Sequence, residues 1–145
     1  MSEGVSYETE ALRRLCITHL QIGKLRQKPP DGNVQEALRH FRLALEAVEK
    51  TRDRLLEARV QWALARQLMD EFRWTEAIDS LRSCDTTFLL FGRPLDSCDA
   101  KVALARCFRC TGLYERAREL LKSAVAAARR NGYSQGMIDA CFERF

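Results

Sequence analysis

Apolar residues recur at steps of three and four along most of this chain, which is the spacing of one face of an α-helix. In the second quarter Val60, Leu64 and Leu68 follow this pattern, and Phe72-Arg73-Trp74 interrupts it. A second face then begins, marked by Ala77, Ile78, Leu81, Cys84, Phe88 and Phe91. We expect Gly92-Arg93-Pro94 to end this second helix, because glycine adopts the left-handed conformation and proline cannot continue a helix.

The same two-helix pattern recurs every 40 residues. When the chain is aligned with itself at this step, small side chains align with small ones, large with large, and glycine with glycine. Examples are Glu36-Ala37-Leu38 with Glu76-Ala77-Ile78 and Arg116-Ala117-Arg118; Phe41 with Leu81 and Leu121; Ala44 with Cys84 and Ala124; Leu64-Ala65-Arg66 with Leu104-Ala105-Arg106; Trp74 with Tyr114; and Gly92 with Gly132. Self-similarity at a fixed period of this length is typical of helical repeat proteins.

The period divides the chain into about three repeats within a single domain, 1–145. We expect the repeats at about 8–50, 56–91 and 97–131, followed by a C-terminal helix at about 135–145. The first repeat departs from the others because its loop, Gln27 to Gly32, contains Pro29 and Pro30 and is expected to hold a few inserted residues. Asn33 followed by Glu36 resembles a capping box that opens the next helix.

Helix pairs without strands predict an all-α fold in which antiparallel pairs stack and each buries its apolar face on the next. Small residues recur at the predicted contacts, where they let two helix axes approach closely. They are Ala37, Ala65, Ala77, Ala105 and Ala117. We expect the aromatic residues Phe41, Trp74, Phe108 and Tyr114 to fill the remaining space.

Composition and charge remove several classes of protein. The chain has 145 residues, of which 46% are hydrophobic and 30% charged, a balance that excludes an intrinsically disordered chain. No apolar run is long enough to span a bilayer, and the polar N-terminus is not expected to be a secretory signal. The six cysteines are therefore expected to be reduced thiols, in the cytoplasm or alternatively in the nucleus.

These residues resemble a tetratricopeptide repeat (TPR) protein over about residues 10–145. Leu64, Ala65 and Leu68 resemble the family's first helix, Gly112-Leu113-Tyr114 its turn, and Ala117, Leu121 and Ala124 its second helix. The 40-residue period is similar to the longer-repeat branch found in G-protein-signalling modulators and kinesin light chains. The resemblance implies a right-handed superhelical stack, a TPR-like α-solenoid of about three repeats with a C-terminal capping helix.

The resemblance also implies a function: binding a peptide segment of a partner protein in a concave groove. Side chains of the first helix of each repeat line that groove in the family. Transferring those positions selects Arg59, Trp62, Arg66, Met69, Val102, Arg106 and Arg109 as peptide-binding residues. Since a guanidinium can make two parallel hydrogen bonds to a carboxylate, we expect an acidic peptide. The alternative is that these arginines pair with Asp70, Asp99 or nearby glutamates on solvated surfaces.

Chemistry-bearing motifs are sparse, so we expect no enzyme activity, no cofactor and no metal site. Cys107-Phe108-Arg109-Cys110 is a Cys-x-x-Cys without a second cysteine pair, and the only histidines are His19 and His40. His40 is expected to face water on a second helix of a repeat. No phosphate-binding glycine loop is present, and no nucleophile has a recognisable base near it.

Two alternatives to a peptide-binding adaptor or scaffold subunit stay open at this point. A helical-repeat nucleic-acid binder is disfavoured, because the +4 net charge is spread among acidic residues rather than clustered. Self-association through the C-terminal helix is suggested by its apolar stripe, which includes Phe142 and Phe145. No membrane partner is expected.

Overall fold

A computed structural model describes residues 3–27 and 33–142. Within them the chain forms seven helices and no strand: α1 (Glu3–Arg26), α2 (Val34–Glu49), α3 (Arg54–Asp70), α4 (Trp74–Leu90), α5 (Pro94–Cys110), α6 (Tyr114–Arg130) and α7 (Gln135–Phe142). The all-α prediction is confirmed, with helices packed in consecutive pairs as in a TPR-like solenoid; its right-handed course and the predicted repeat boundaries stay predictions. Two compact units meet in sequence between Gln67 and Leu68.

The turns between helices repeat every 20 residues. Helices α3, α4, α5 and α6 each contain 17 residues and are joined by three-residue turns. One residue at an equivalent place in each turn has a positive φ; these residues are Arg52, Phe72, Gly92, Gly112 and Gly132. The predicted glycine turns are therefore confirmed, and Phe72 holds a conformation that costs a residue with a Cβ about 1–2 kcal/mol.

Pro94 begins a helix rather than merely following one. It occupies the first turn of α5, so that helix starts at Pro94, three residues before the expected Ser97. Proline suits this place because its fixed φ is helical and its missing N–H would have no partner in the first turn.

In the first unit, two polar side-chain contacts connect α1 and the residue after it with α3 and the turn before it. The Arg13 guanidinium and the Asp53 carboxylate are 3.2 Å apart, and Gln27 Nε2 donates to Gln67 Oε1 at 2.9 Å. The members of each pair are 40 positions apart in the sequence. The connection from Arg26 to Val34 is longer than the three-residue turns that follow, and the expected insertion in the first loop stays a prediction. Pro29 and Pro30 lie outside the described residues.

Asn33 caps α2 as the sequence predicts. Its side-chain oxygen accepts a hydrogen bond from the Glu36 backbone N–H at 3.1 Å. The reciprocal half of a capping box is absent, because the Asn33 N–H donates to the Arg26 carbonyl and the Glu36 carboxylate pairs with Arg26 at 3.2 Å. Arg26, the last residue of α1, therefore contacts both Asn33 and Glu36 at the start of α2.

The predicted small contact residues are buried. None is more than 4% exposed; they are Ala37, Ala65, Ala77, Ala105 and Ala117. Phe41 and Phe108 are buried as expected, but Tyr114 is 64% exposed. The expectation that Tyr114, the first residue of α6, fills the core is wrong.

In the second unit, α5 packs against both α4 and α6, and α7 packs against α5. Ile138 of α7 is buried in a cluster with Cys98, Ala124 and Ala128. Helix α7 therefore covers the end of the third repeat through Ile138. The Phe142 side chain and Phe145, on which the self-association hypothesis depends, lie outside the described side chains, and that hypothesis stays a prediction.

A polar cluster joins α4 to α5. The Lys101 ammonium donates to both Asp85 carboxylate oxygens, at 2.7 and 2.8 Å, and to Ser97 Oγ at 3.1 Å. Ser97 Oγ also donates to Asp85 Oδ1. Lys101 and Ser97 are buried. Because every member has a charged or hydroxyl partner, the cluster fixes which residues of α4 and α5 face each other.

We expect Gly23→Ala to destabilise the first unit, although alanine ordinarily stabilises a helix. A Cβ at Gly23 would lie 2.6 Å from Cε1 and 2.8 Å from Cδ1 of the buried Phe41 ring. The expected loss is about 1–3 kcal/mol of unfolding free energy, measured by urea denaturation. Gly136→Ala is the matched control, because a Cβ there meets nothing closer than Ser134 Oγ at 4.0 Å. Equal effects of the two substitutions would contradict the predicted clash.

Lys101→Met should cost about 2–4 kcal/mol of unfolding free energy, because it leaves the Asp85 carboxylate without its cation. The double variant Asp85→Leu, Lys101→Met should recover most of that loss, since no unpaired charge remains. Urea denaturation of the two single variants and the double variant measures the coupling. Additive losses would show that the pair does not act as a unit.

Candidate peptide-binding site

Three of the predicted peptide-binding residues lie on α3 in the first unit. Arg59 and Arg66 are exposed, and Trp62 between them is half-buried. Their spacing of three and four residues places them along one helical face. Met69, in the last turn of α3, is only 7% exposed. The first three can contact a ligand as they stand, whereas Met69 contributes mainly to packing.

The last three of the seven predicted residues lie on α5, which belongs to the second unit. Val102 is 2% exposed, Arg106 is half-buried and Arg109 is exposed. Burial of Val102 places it in the core with Ala105, so it positions α5 rather than offering surface to a peptide. The predicted surface of this unit therefore reduces to Arg106 and Arg109.

Arg106 is held by an aromatic side chain from the neighbouring helix. Its guanidinium carbon lies 5.9 Å from the centre of the Trp74 ring, a cation–π contact. The Trp74 ring in turn meets the Phe72 ring edge-on, with centres 5.9 Å apart and planes at 61°. Because α4 and α5 run antiparallel with a short turn, the start of α4 lies beside the end of α5, which brings these residues together.

The alternative to peptide binding is that the candidate arginines form ion pairs with acidic residues of the same protein. Among the described residues, Arg59, Arg66 and Arg106 form none, as is also true of other exposed arginines such as Arg39 and Arg42, whereas Arg13, Arg14, Arg73 and Arg93 each pair with a carboxylate. Arg73, for example, donates two hydrogen bonds to Glu76, which raise the pKa of its guanidinium. The guanidinium N–H groups of Arg59, Arg66 and Arg106 therefore have no carboxylate partner among the described residues and can bind one from another protein.

A histidine pair, which the sequence reading missed, lies between α1 and α2. Nδ1 of His19 and Nδ1 of His40 are 2.9 Å apart, and the two rings stack with centres at 5.1 Å. His40 is half-buried, so the expectation that it faces water is wrong. Burial, His19 and Arg39 lower the pKa of His40, while Glu36 opposes them. Only a tertiary contact could reveal this pair, because 21 residues separate its members.

The cysteines do not assemble into a reactive pair within the described part of the chain. Cys107 is buried and Cys110 is exposed, although they lie one turn apart on α5. Burial raises the pKa of the Cys107 thiol to about 12, that of Cys84 to about 12 and that of Cys16 to about 11. These three thiols are protonated at neutral pH and therefore weak nucleophiles and metal ligands.

Two open cavities lie elsewhere in the second unit. One, of about 400 Å³, has Phe108 among its lining residues beneath the Arg82 guanidinium, whose carbon is 5.6 Å from the ring centre. The other, of about 440 Å³, follows one face of α6 from Arg118 to Arg129. Neither is lined by a residue that the sequence selected for peptide binding.

The described residues contain neither a metal-binding cluster nor a membrane-spanning helix. No group of three or more histidine, cysteine, aspartate or glutamate side chains is placed to hold a metal ion. No helix there combines the length and the hydropathy needed to cross a membrane.

Comparison with known families places α5 and α6 in context. Residues 102–132 match the tetratricopeptide repeat family. The matched TPR-type repeat contains Val102, Arg106 and Arg109, the Gly112 turn and the whole of α6. No curated protein and no solved structure matches the chain. TPR repeats generally mediate protein–protein interaction and are typically non-enzymatic, which supports an adaptor or scaffold role.

We expect the unfolding free energy to fall as the pH drops from 7.5 to 5.5, because the folded protein holds the pKa of His40 below its ordinary 6.5. The unfolded chain then binds the proton more readily than the folded one, and the loss begins just below pH 6.5. His40→Gln should flatten this slope in urea denaturation across that range. An unchanged slope would exclude His40 as its source.

Proposed function

We propose that this protein is a non-enzymatic adaptor or scaffold subunit that binds an acidic peptide segment of a partner protein. The observation that carries the proposal is the Arg106 guanidinium, which belongs to the matched TPR-type repeat and lies against the Trp74 ring of the preceding helix. Arg106 carries a positive charge and makes no ion pair with a described residue. A site with these properties favours a carboxylate.

The contact with Trp74 prepares Arg106 for this task. A guanidinium in contact with an aromatic ring still has N–H donors that the ring does not satisfy. Those donors match the two oxygens of a carboxylate, and the bond is charge-assisted. Since the ring already restricts the arginine, less side-chain entropy is lost when the peptide binds.

The first unit offers a second cationic position of the same kind. Arg66 is equivalent to Arg106 by the 40-residue period, and it is exposed on α3 with Arg59 on the same face. Trp62 lies between them and can supply apolar contact. We propose that Arg59, Trp62 and Arg66 bind a further part of the same acidic partner.

The repeat length supports the longer-repeat type within the TPR family. The 17-residue helices and three-residue turns from α3 to α6 produce a period of 40 residues. We propose that the chain resembles the branch of G-protein-signalling modulators and kinesin light chains in this respect.

Arg106→Glu should reduce partner binding at least about tenfold, because it replaces a charge-assisted donor with a repelling carboxylate. Affinity capture from native extract, read by quantitative mass spectrometry, measures the loss for each protein bound by the wild type. Arg106→Lys should give an intermediate loss, since lysine retains the charge but not the planar donors.

Arg118→Glu is the matched control, because it makes the same charge reversal on an exposed part of α6. It should leave the captured proteins unchanged. The proposal fails if Arg106→Glu captures the same proteins in the same amounts as the wild type, or if Arg118→Glu loses them equally.

A further inference from the structure

Phe72 is a large apolar residue in a place that folding does not explain. It has a φ of 61° and is 76% exposed. The equivalent turn residues Gly92, Gly112 and Gly132 have no side chain and adopt this conformation freely. Arg52 shows that the turn accepts a side chain, but an arginine is well solvated there, whereas an exposed phenylalanine ring is not.

The Phe72 ring continues the array that holds Arg106. Trp74 contacts both other members: its ring meets the Phe72 ring edge-on with centres 5.9 Å apart, and its ring centre lies 5.9 Å from the guanidinium carbon of Arg106. All three residues belong to the second unit. The array presents an apolar surface next to a cationic donor.

We propose that Phe72 and Trp74 form an apolar subsite beside Arg106, and that the partner segment therefore carries a large apolar residue close to its acidic residue. This inference rests on the proposed function and specifies the ligand further. The carboxylate binds the Arg106 guanidinium, while the apolar side chain packs on the rings of Phe72 and Trp74. The positive charge of Arg106 is the argument for the acidic residue of the ligand, and the exposed aromatic surface is the argument for its apolar residue.

The spacing of the array fits an extended segment. In an extended chain, residues two apart point to the same side and lie about 6.5–7 Å from each other. That separation is comparable with the 5.9 Å between the Trp74 ring and the Arg106 guanidinium. We therefore expect an acidic residue and an aromatic or large aliphatic residue two positions apart.

Selection from a random dodecapeptide phage library on the immobilised full chain tests this inference. Peptides enriched on the wild type should combine an acidic residue with a large apolar residue two positions away. On Phe72→Gly the acidic preference should persist and the apolar preference should disappear. On Arg106→Gln the preference for an acidic residue two positions from the apolar one should disappear. Phe91→Ala is the matched control: it removes an exposed phenylalanine from a different turn and should give the wild-type pool.

The most enriched peptide, synthesised and titrated into the ¹⁵N-labelled chain, should shift the indole N–H signal of Trp74, assigned against a Trp62→Phe variant. Phe72→Gly should weaken its binding at least about fivefold, whereas Phe91→Ala should change it less than twofold. The thermal unfolding midpoint of Phe72→Gly should equal or exceed that of the wild type, because glycine relieves the strained turn. A loss of binding therefore cannot reflect unfolding.

The outcomes separate the two proposals. A wild-type pool that is acidic without an apolar preference, or undiminished binding to Phe72→Gly, overturns the apolar subsite and leaves the acidic-peptide function standing. A wild-type pool without an acidic preference, or no enrichment at all, overturns the proposed function and the subsite together.

Discussion

Close approach of helices through small buried side chains is the constraint on which the rest of this structure depends. Alanine or cysteine occupies the equivalent contact positions of successive second helices, and Ala44, Cys84 and Ala124 are fully buried. Larger side chains at these places would hold the helix axes apart. Three-residue turns join the 17-residue helices, and each of these turns has one residue in the left-handed conformation.

The candidate binding surface of the second unit is a consequence of that geometry. Because α4 and α5 are antiparallel and closely joined, the first residue of one lies beside the last turns of the other. Trp74 and Arg106 meet for this reason although 32 positions separate them in the sequence. A longer connection between α4 and α5 would let the Trp74 ring and the Arg106 guanidinium move relative to each other. Arg106 would then be less restricted and would lose more side-chain entropy on binding a carboxylate.

The buried alanines let the helices approach closely, and the polar contacts determine which residues of neighbouring helices face each other. Apolar packing tolerates small shifts of one helix along another, but Lys101 satisfies Asp85 and Ser97 in one alignment only. Gln27 with Gln67, and Arg13 with Asp53, act similarly in the first unit, where α1 is the least regular helix of the repeat pattern. The His19–His40 pair adds a contact there whose strength depends on protonation.

The sequence alone determined the elements of this protein: the 40-residue period, the helix pairs, the glycine turns and the buried alanines. These follow from local spacing, because one helical face and one turn are defined within a few residues. Tertiary structure decided which polar and aromatic side chains meet. It buried Val102, exposed Tyr114, and joined Arg106 to Trp74 and His19 to His40. Those outcomes depend on contacts between residues of different helices, which periodicity along one chain does not encode.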